Sequence, residues 1–436
     1  MGLRALFILS ISLGAMAYTL KKPYFGVVYF ALITYIRPER LSYHQLAKFH
    51  IPLCVGICII IAWLINYKNL SHIKNTSKVI LCLWGLVFFE ALSTFTAVYS
   101  KAISFHYTQV VFKIVLFCYL MTKLIDSKEK LTHFLIANLL GVAFIAIWGF
   151  EQHFRGNIRL EDVAGGNYAE SNSIAALFAQ FLPIFYSLIF IGTKKIKIIA
   201  GIMTIILGTD IIFTQSRAGA LGGIIAMFAF FLKLPLKLKV MLVIAFFVFY
   251  PVFKTATLGT KGYQERIEIL IKESKTYLKT KEITEEHYRL SADRIPIWKA
   301  GIAMFKDHPL TGVGQQNFQY LSRDYCHKLG LKIGSWWRGD AHNTFLLTLC
   351  EGGIFAFLFF ILAIFFYFKD TRDLKKIFSK DSNLKKYIPF VVALQSGMLG
   401  FLTCSMVHSY PINENFYWFL VIPGIIKNIY YKEKGQ

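Results

Sequence analysis

The sequence predicts an all-α, polytopic membrane protein of about 12–13 transmembrane helices, with one large extracytoplasmic loop that itself contains helices. Three observations predict this. Of the 436 residues 56% are hydrophobic and only 17% charged, with a mean hydropathy of +0.51, too little charge to cover a soluble fold of this length. The apolar residues fall in blocks of about 17–25, the length that crosses a bilayer as a helix. Lysines crowd every second connection between those blocks.

In chain order the candidate spans lie near 3–20, 23–36, 50–66, 78–98, 104–124, 131–150, 169–192, 196–214, 217–233, 236–254, 342–368, 387–408 and 413–430. No small-residue cleavage site follows the first block, so a cleaved signal peptide is not expected there. Lysines mark the connections Lys21–Lys22, Lys68 to Lys78, Lys123 to Lys130, Lys194 to Lys197, Lys233 to Lys239 and Lys369 to Lys386, and the tail with Lys427, Lys432 and Lys434. The positive-inside rule makes these cytoplasmic, so the C-terminus is inside and the stretch 255–340 outside. Three regions are expected: a transmembrane bundle over 1–254, the extracytoplasmic loop over 255–341, and C-terminal transmembrane helices with a cytoplasmic tail over 342–436. Topology thus explains the net charge of +23, and the partners it points to are membrane lipids, not nucleic acid. Of the cysteines only Cys326 lies in the outer loop, so that loop holds no internal disulfide, and nothing has metal-ligand spacing.

Within the outer loop, mixed-charge, helix-forming residues run from Tyr263 to Leu290. A second helix is predicted from Pro296 to Lys306, with Ile295, Trp298, Ile302 and Phe305 as its apolar face. The turn His308-Pro309-Leu310-Thr311-Gly312-Val313-Gly314 ends it, and Trp336-Trp337-Arg338-Gly339-Asp340 returns the chain to the bilayer.

The outer side carries arginine where the inner side carries lysine: Arg37, Arg40, Arg155, Arg159, Arg217, Arg266, Arg289, Arg294, Arg323 and Arg338. A guanidinium fork grips phosphate oxygens, so arginines kept against the positive-inside bias point to an anionic ligand. Arg217 is the sharpest case, set between two apolar blocks in Thr214-Gln215-Ser216-Arg217-Ala218-Gly219. Two readings are open to it: snorkelling to the headgroups, or holding an anion. The other candidate is His342 in Asp340-Ala341-His342-Asn343, at the mouth of a span. It is either a base for an acceptor hydroxyl or an interfacial histidine bonded to backbone. Asp340 or Glu351 could orient it. Glu90 lies inside an apolar run and is paired or protonated; Glu170-Ser171-Asn172 opens a span as a cap; His408 and Glu414 are expected to be solvated at the last outer turn. The chain has no Asp-x-Asp, no Walker lysine motif and no His-Glu-x-x-His, which disfavours a metal-held nucleotide sugar, ATP coupling and a zinc site.

Three motifs in order, Thr214 to Gly219, His308 to Gly314 with Asn317-Phe318, and Ala341-His342-Asn343 through Glu351-Gly352-Gly353, resemble the O-antigen ligase and polymerase superfamily. The opening, Pro23-Tyr24-Phe25-Gly26 and Ile36-Arg37-Pro38-Glu39-Arg40-Leu41, resembles a narrower branch, the O-glycosylation ligases encoded with exosortase systems. The resemblance implies a GT-C-like fold and an inverting glycosyltransferase that needs no metal or other cofactor. It implies a glycan donor on undecaprenyl pyrophosphate and a glycan, lipid A-core or protein hydroxyl as acceptor, met on the periplasmic side of a bacterial inner membrane. His342 falls on the proposed base and Arg217 on the pyrophosphate contact, with Arg294, Arg338 and Asn343 as further substrate-binding residues. Ala218 between Arg217 and Gly219 departs from the commoner pattern by a small-residue swap. A polysaccharide polymerase of the same superfamily and a polytopic transporter of lipid-linked glycan or solute are the alternatives.

Overall fold

The computed structural model describes residues 2–67, 76–233 other than 164 and 167, 239, 294–331 and 339–435. Ten helices run through the first part: α1 Leu3–Lys21, α2 Pro23–Ile36, the short α3 Pro38–Leu41, α4 Ile51–Ile65, α5 Val79–Phe95, α6 Lys101–Leu124, α7 Lys128–Phe154, α8 Ser171–Ile191, α9 Lys194–Phe213 and α10 Arg217–Leu232. They are followed by α11 Arg294–Asp307, α12 Phe318–Lys328, α13 Thr344–Lys380, α14 Ile388–Ser405 and α15 Glu414–Glu433. Each candidate span falls on a helix except 236–254, which apart from 239 lies outside the described residues, as do the predicted helix over 263–290 and Arg338. Among the described residues eight helices are long and apolar enough to cross a membrane, and α2, α5 and α10 are shorter apolar ones. Among the described residues there is no strand, so the chain is an all-α, multi-pass membrane protein.

Local chemistry sets where these helices begin. Ser100, Ser127, Ser216, Asn343 and Asn413 each accept a backbone N–H of the first turn with the side-chain oxygen, at 3.0–3.3 Å. Proline opens α2, α4 and α14, where its missing N–H costs nothing. Helices α8 and α14 form the centre, with 72% and 67% of their apolar windows buried, whereas α1 and the span containing α4 bury only 22% and turn their leucines and isoleucines outward. Such outward apolar faces suit lipid, not water.

The chain reverses at each connection, so the starts of α6, α8, α10, α13 and α15 gather at one end, the mouth. The described lysine connections, Lys21–Lys22, Lys123 to Lys130, Lys194 to Lys197 and Lys369 to Lys386, gather at the other end.

Helix α13 is broken at Gly353, which has φ 72° and ψ −175°, a conformation essentially reserved for glycine. The turn His308 to Gly314 crosses this break and takes up its backbone groups. Val313 N donates to Cys350 O at 2.9 Å, Gly314 N to Glu351 O at 3.0 Å, and Ile354 N to Pro309 O at 2.9 Å. Two of the sequence motifs are therefore one structure. Gly353→Ala should destabilise the fold by about 1–3 kcal/mol from backbone conformation alone, with more from the clash of its Cβ with the Leu310 carbonyl. Thermal unfolding in detergent checks this, and an unchanged melting temperature would contradict it.

Helix α11 forms where predicted, but a different face of it is buried. Ile297, Ala300, Gly301 and Met304 face inward, while Ile295 is 63% and Ile302 47% exposed. Small residues decide the rotation. A Cβ on Gly301 would lie 3.1 Å from Cys350 Sγ, Leu346 Cδ2 and Phe318 Cε2, so only the Ala300–Gly301 face lets α11 settle on α13 and α12.

Candidate functional site

The mouth is built by tight reversals that fix a few polar side chains on short stalks. Between α9 and α10 the chain turns within Thr214-Gln215-Ser216, with Gln215 at φ 51°. Ser216 caps α10 and its hydroxyl meets Asn172 Oδ1 at 2.7 Å, tying the heads of α8 and α10 together. Glycines set the closeness. A Cβ on Gly219 would strike Ala175 of α8, and one on Gly222 would strike Cys404 and the Gly400 carbonyl of α14. Arg217, the first residue of α10, is thus exposed on a rigid base, at a helix N-terminus whose free amides also favour an anion.

Arg294 is the first residue of α11 and is half-buried. Its guanidinium is pulled below the usual arginine range, first by burial and then by the charge of Arg217. Two guanidiniums brought within range of each other, one partly desolvated, repel unless an anion sits between them. The remaining outer arginines narrow the case. Arg40 is bidentate to Asp162 at 2.9 and 3.1 Å, Arg37 pairs with Glu39 at 3.7 Å, Arg159 with Glu161 at 3.0 Å, and Arg155 with Glu151. Internal carboxylates account for these four.

His342 stands at the same mouth with φ 46°, a left-handed backbone that few non-glycine residues adopt. Its neighbours hold it there. Trp298 Nε1 of α11 donates to Ala341 O at 2.9 Å, and Asn343 donates its N–H to Ser409 Oγ at 3.2 Å while its Oδ1 caps α13 at Leu346 N. The side-chain oxygen of Asn343 is thus used in positioning the histidine. Burial, the largest influence, lowers the His342 pKa below the usual 6.5; Asp340 opposes this, and His408 and Arg294 add to it. The imidazole is therefore neutral near pH 7 and carries a basic lone pair.

Glu351, a second candidate to orient His342, lies deeper. It is buried, its Oε1 accepts from Phe318 N at 3.1 Å, and Ser93 Oγ donates to its carbonyl at 2.6 Å. It braces the broken helix instead. Glu90 is buried beside it, near Gly352 and Gln315, and its Oε2 has no hydrogen-bond partner among the described residues.

The sequence reading missed two residues that join the site. His408, expected to be solvated, is only 7% exposed, and its Nε2 sits 3.0 Å from Glu170 Oε2. Thr344 Oγ1 donates to His408 O at 3.0 Å, Tyr410 N donates to Thr344 Oγ1 at 2.9 Å, and Tyr410 OH donates to Asn172 O at 2.9 Å. The turn between α14 and α15 is thereby sewn to the heads of α8 and α13. Glu170 is no mere cap: its side chain makes no capping bond, and the hydrogen bond from His408 holds its carboxyl below the usual range.

Residues 202–361 match a family model described as O-antigen ligase, and residues 3–174 match a family of unknown function, DUF5935. No curated protein matches the chain. The first match takes in Arg217, Arg294 and His342, and the second takes in Glu170 and Asn172, while His408 lies outside both. Over the residues that carry the arginine pair and the histidine, the chain is similar to the O-antigen ligase family.

Proposed function

We propose that the chain is an inverting, metal-independent membrane glycosyltransferase that moves a glycan from undecaprenyl pyrophosphate to an acceptor hydroxyl. The observation that carries this is the placement of two mutually repelling arginines, Arg217 and Arg294, at one bundle mouth with a neutral histidine, His342. The arginines hold the diphosphate, and Arg338 is assigned the same task from the family resemblance. The acceptor O–H gives its proton to His342 as its oxygen attacks the anomeric carbon. The bond from that carbon to the phosphate oxygen breaks, and the lipid pyrophosphate leaves with the electron pair, its charge met by the guanidiniums. A single displacement of this kind inverts the anomeric centre. The lysine distribution supports a mouth on the extracytoplasmic face, where a lipid-borne donor needs no nucleotide.

The test is purified protein in nanodiscs, under chelator, with a polyprenyl-pyrophosphate glycan and, separately, lipid A core, a polysaccharide and a hydroxyl-rich protein. Glycosylation of one acceptor with release of lipid pyrophosphate is expected. Donor extended by donor would make the enzyme a polymerase, and an unconsumed donor in every mixture would remove the reading.

The pH profile follows from the histidine's surroundings. A base whose pKa is lowered stays neutral until the pH falls through that lowered value, so the acid limb of kcat/KM should lie below 6.5. Asp340 favours the protonated form, so Asp340→Asn should move the limb to still lower pH. A limb that rises, or stays in place, would contradict the assignment of that limb to His342.

A further inference from the structure

The ring of His408 lies 5.7 Å from that of His342, centroid to centroid, with the planes tilted by 31°. No hydrogen bond joins His408 Nδ1 to His342 in this structure, but rings this close come within hydrogen-bond reach when one of them turns toward the other. His408 has its Nε2 on Glu170, whereas its Nδ1 is buried with no hydrogen-bond partner among the described residues. A neutral imidazole that donates Nε2–H to a carboxylate has its lone pair on Nδ1. A buried acceptor left open in this way is costly, and such groups persist where function fills them.

We propose that Glu170 and His408 are positioning residues for His342. Glu170 fixes the tautomer of His408, and His408 Nδ1 accepts the N–H of His342, which leaves the other His342 nitrogen as the base. This rests on the reading of His342 as the base of a glycan transfer. The arrangement is a carboxylate–imidazole–imidazole chain, in which the first two members orient the third and spread the charge it gains on protonation. The family match around His342 gives no hint of it, because its members come from the head of α8 and from the turn before α15.

The charges around His408 agree with this direction. Glu170 faces His408 from the head of α8, His342 from the approach to α13 and Tyr410 from its own turn, with ring centroids 4.8 Å apart, while Asp340 and Arg294 act on His342. Arg159 lies on the far side of Glu170, and Arg217 beyond Arg294. Arg294 disfavours a lasting positive charge on the His342 ring. Glu170, whose side chain is 66% exposed, is the anion that offsets the charge while His342 is protonated, and it meets solvent.

The test compares Glu170→Gln, His408→Leu and His408→Asn in the transfer assay with full-length protein in nanodiscs. Glu170→Gln and His408→Leu should lose about tenfold to a thousandfold in kcat, less than loss of a whole triad orienter, with the donor KM unchanged. The acid limb should move to lower pH in Glu170→Gln, because His342 loses a carboxylate that favours its protonated form. His408→Asn, whose amide oxygen can accept the same N–H, should recover part of the loss; a merely structural role would show no such recovery. If His408→Leu fails to fold, Glu170→Gln decides, since that side chain is largely exposed. Wild-type kcat and acid limb in Glu170→Gln, beside an inactive His342→Asn, would overturn this inference alone. An active His342→Asn would instead overturn the function on which it rests.

Discussion

Replacing His342 should lower glycan transfer by about 10²–10⁴-fold, the usual contribution of a positioned general base, while donor binding and folding are retained. The choice of replacement matters because the backbone sits at φ 46°. Alanine there keeps the Cβ that makes the left-handed backbone costly, about 1–2 kcal/mol, and loses the polar side chain, which would confuse a lost base with a weakened helix start. Asparagine tolerates the left-handed region and keeps a polar side chain without a basic nitrogen, so His342→Asn is the cleaner variant. Its melting temperature should match wild type, since the cap of α13 comes from Asn343 and the clamp from Trp298 onto Ala341 O. Turnover with donor and acceptor both saturating reads the chemical loss apart from binding.

The second large effect is expected at the arginine pair. Each charge-assisted contact to a diphosphate contributes about 1.5–3 kcal/mol, so Arg217→Ala and Arg294→Ala should each cost about 10–100-fold in kcat/KM. The double variant should fall short of the product of the two losses. The reason is that Arg294 is disfavoured by Arg217 in the free protein, so removing one relieves the other. Lysine should rescue poorly at either position, because a point charge cannot reproduce a planar fork on two phosphate oxygens. Donor titrations by kcat/KM across the four lysine and alanine variants check this, and lysine variants at wild-type rates would contradict it.

The spans were legible because a helix that meets lipid needs about twenty apolar residues whatever else it does. Their lateral order was not. It is set by contacts such as Gly219 on Ala175 and Gly222 on Gly400, which carry no periodic signal in the sequence. The same gap hid the packed face of α11: bulky Ile295 and Ile302 mark an apolar stripe that stays exposed, and the small Ala300–Gly301 pair makes the contact with its neighbours.

At the site, Arg217 and His342 were readable because each is a charged or titratable group at the end of an apolar run. Arg294 came only with the family resemblance, and Arg338 lies outside the described residues. His408 and Glu170 escaped because each looks like an ordinary turn or cap residue, and 238 positions separate them. One signal was available. Topology places both at the same end of the bundle as His342, and a carboxylate with two histidines at one mouth is a chemical pattern even before the helices are packed.

The most direct measurement follows one turnover of purified protein on a donor of known anomeric configuration, with chelator present, and reads the configuration of the new glycosidic bond by NMR. An inverted linkage formed by wild type and lost in His342→Asn is the expected result. A retained linkage, or an inverted one formed at full rate without His342, would contradict a single displacement driven by that histidine.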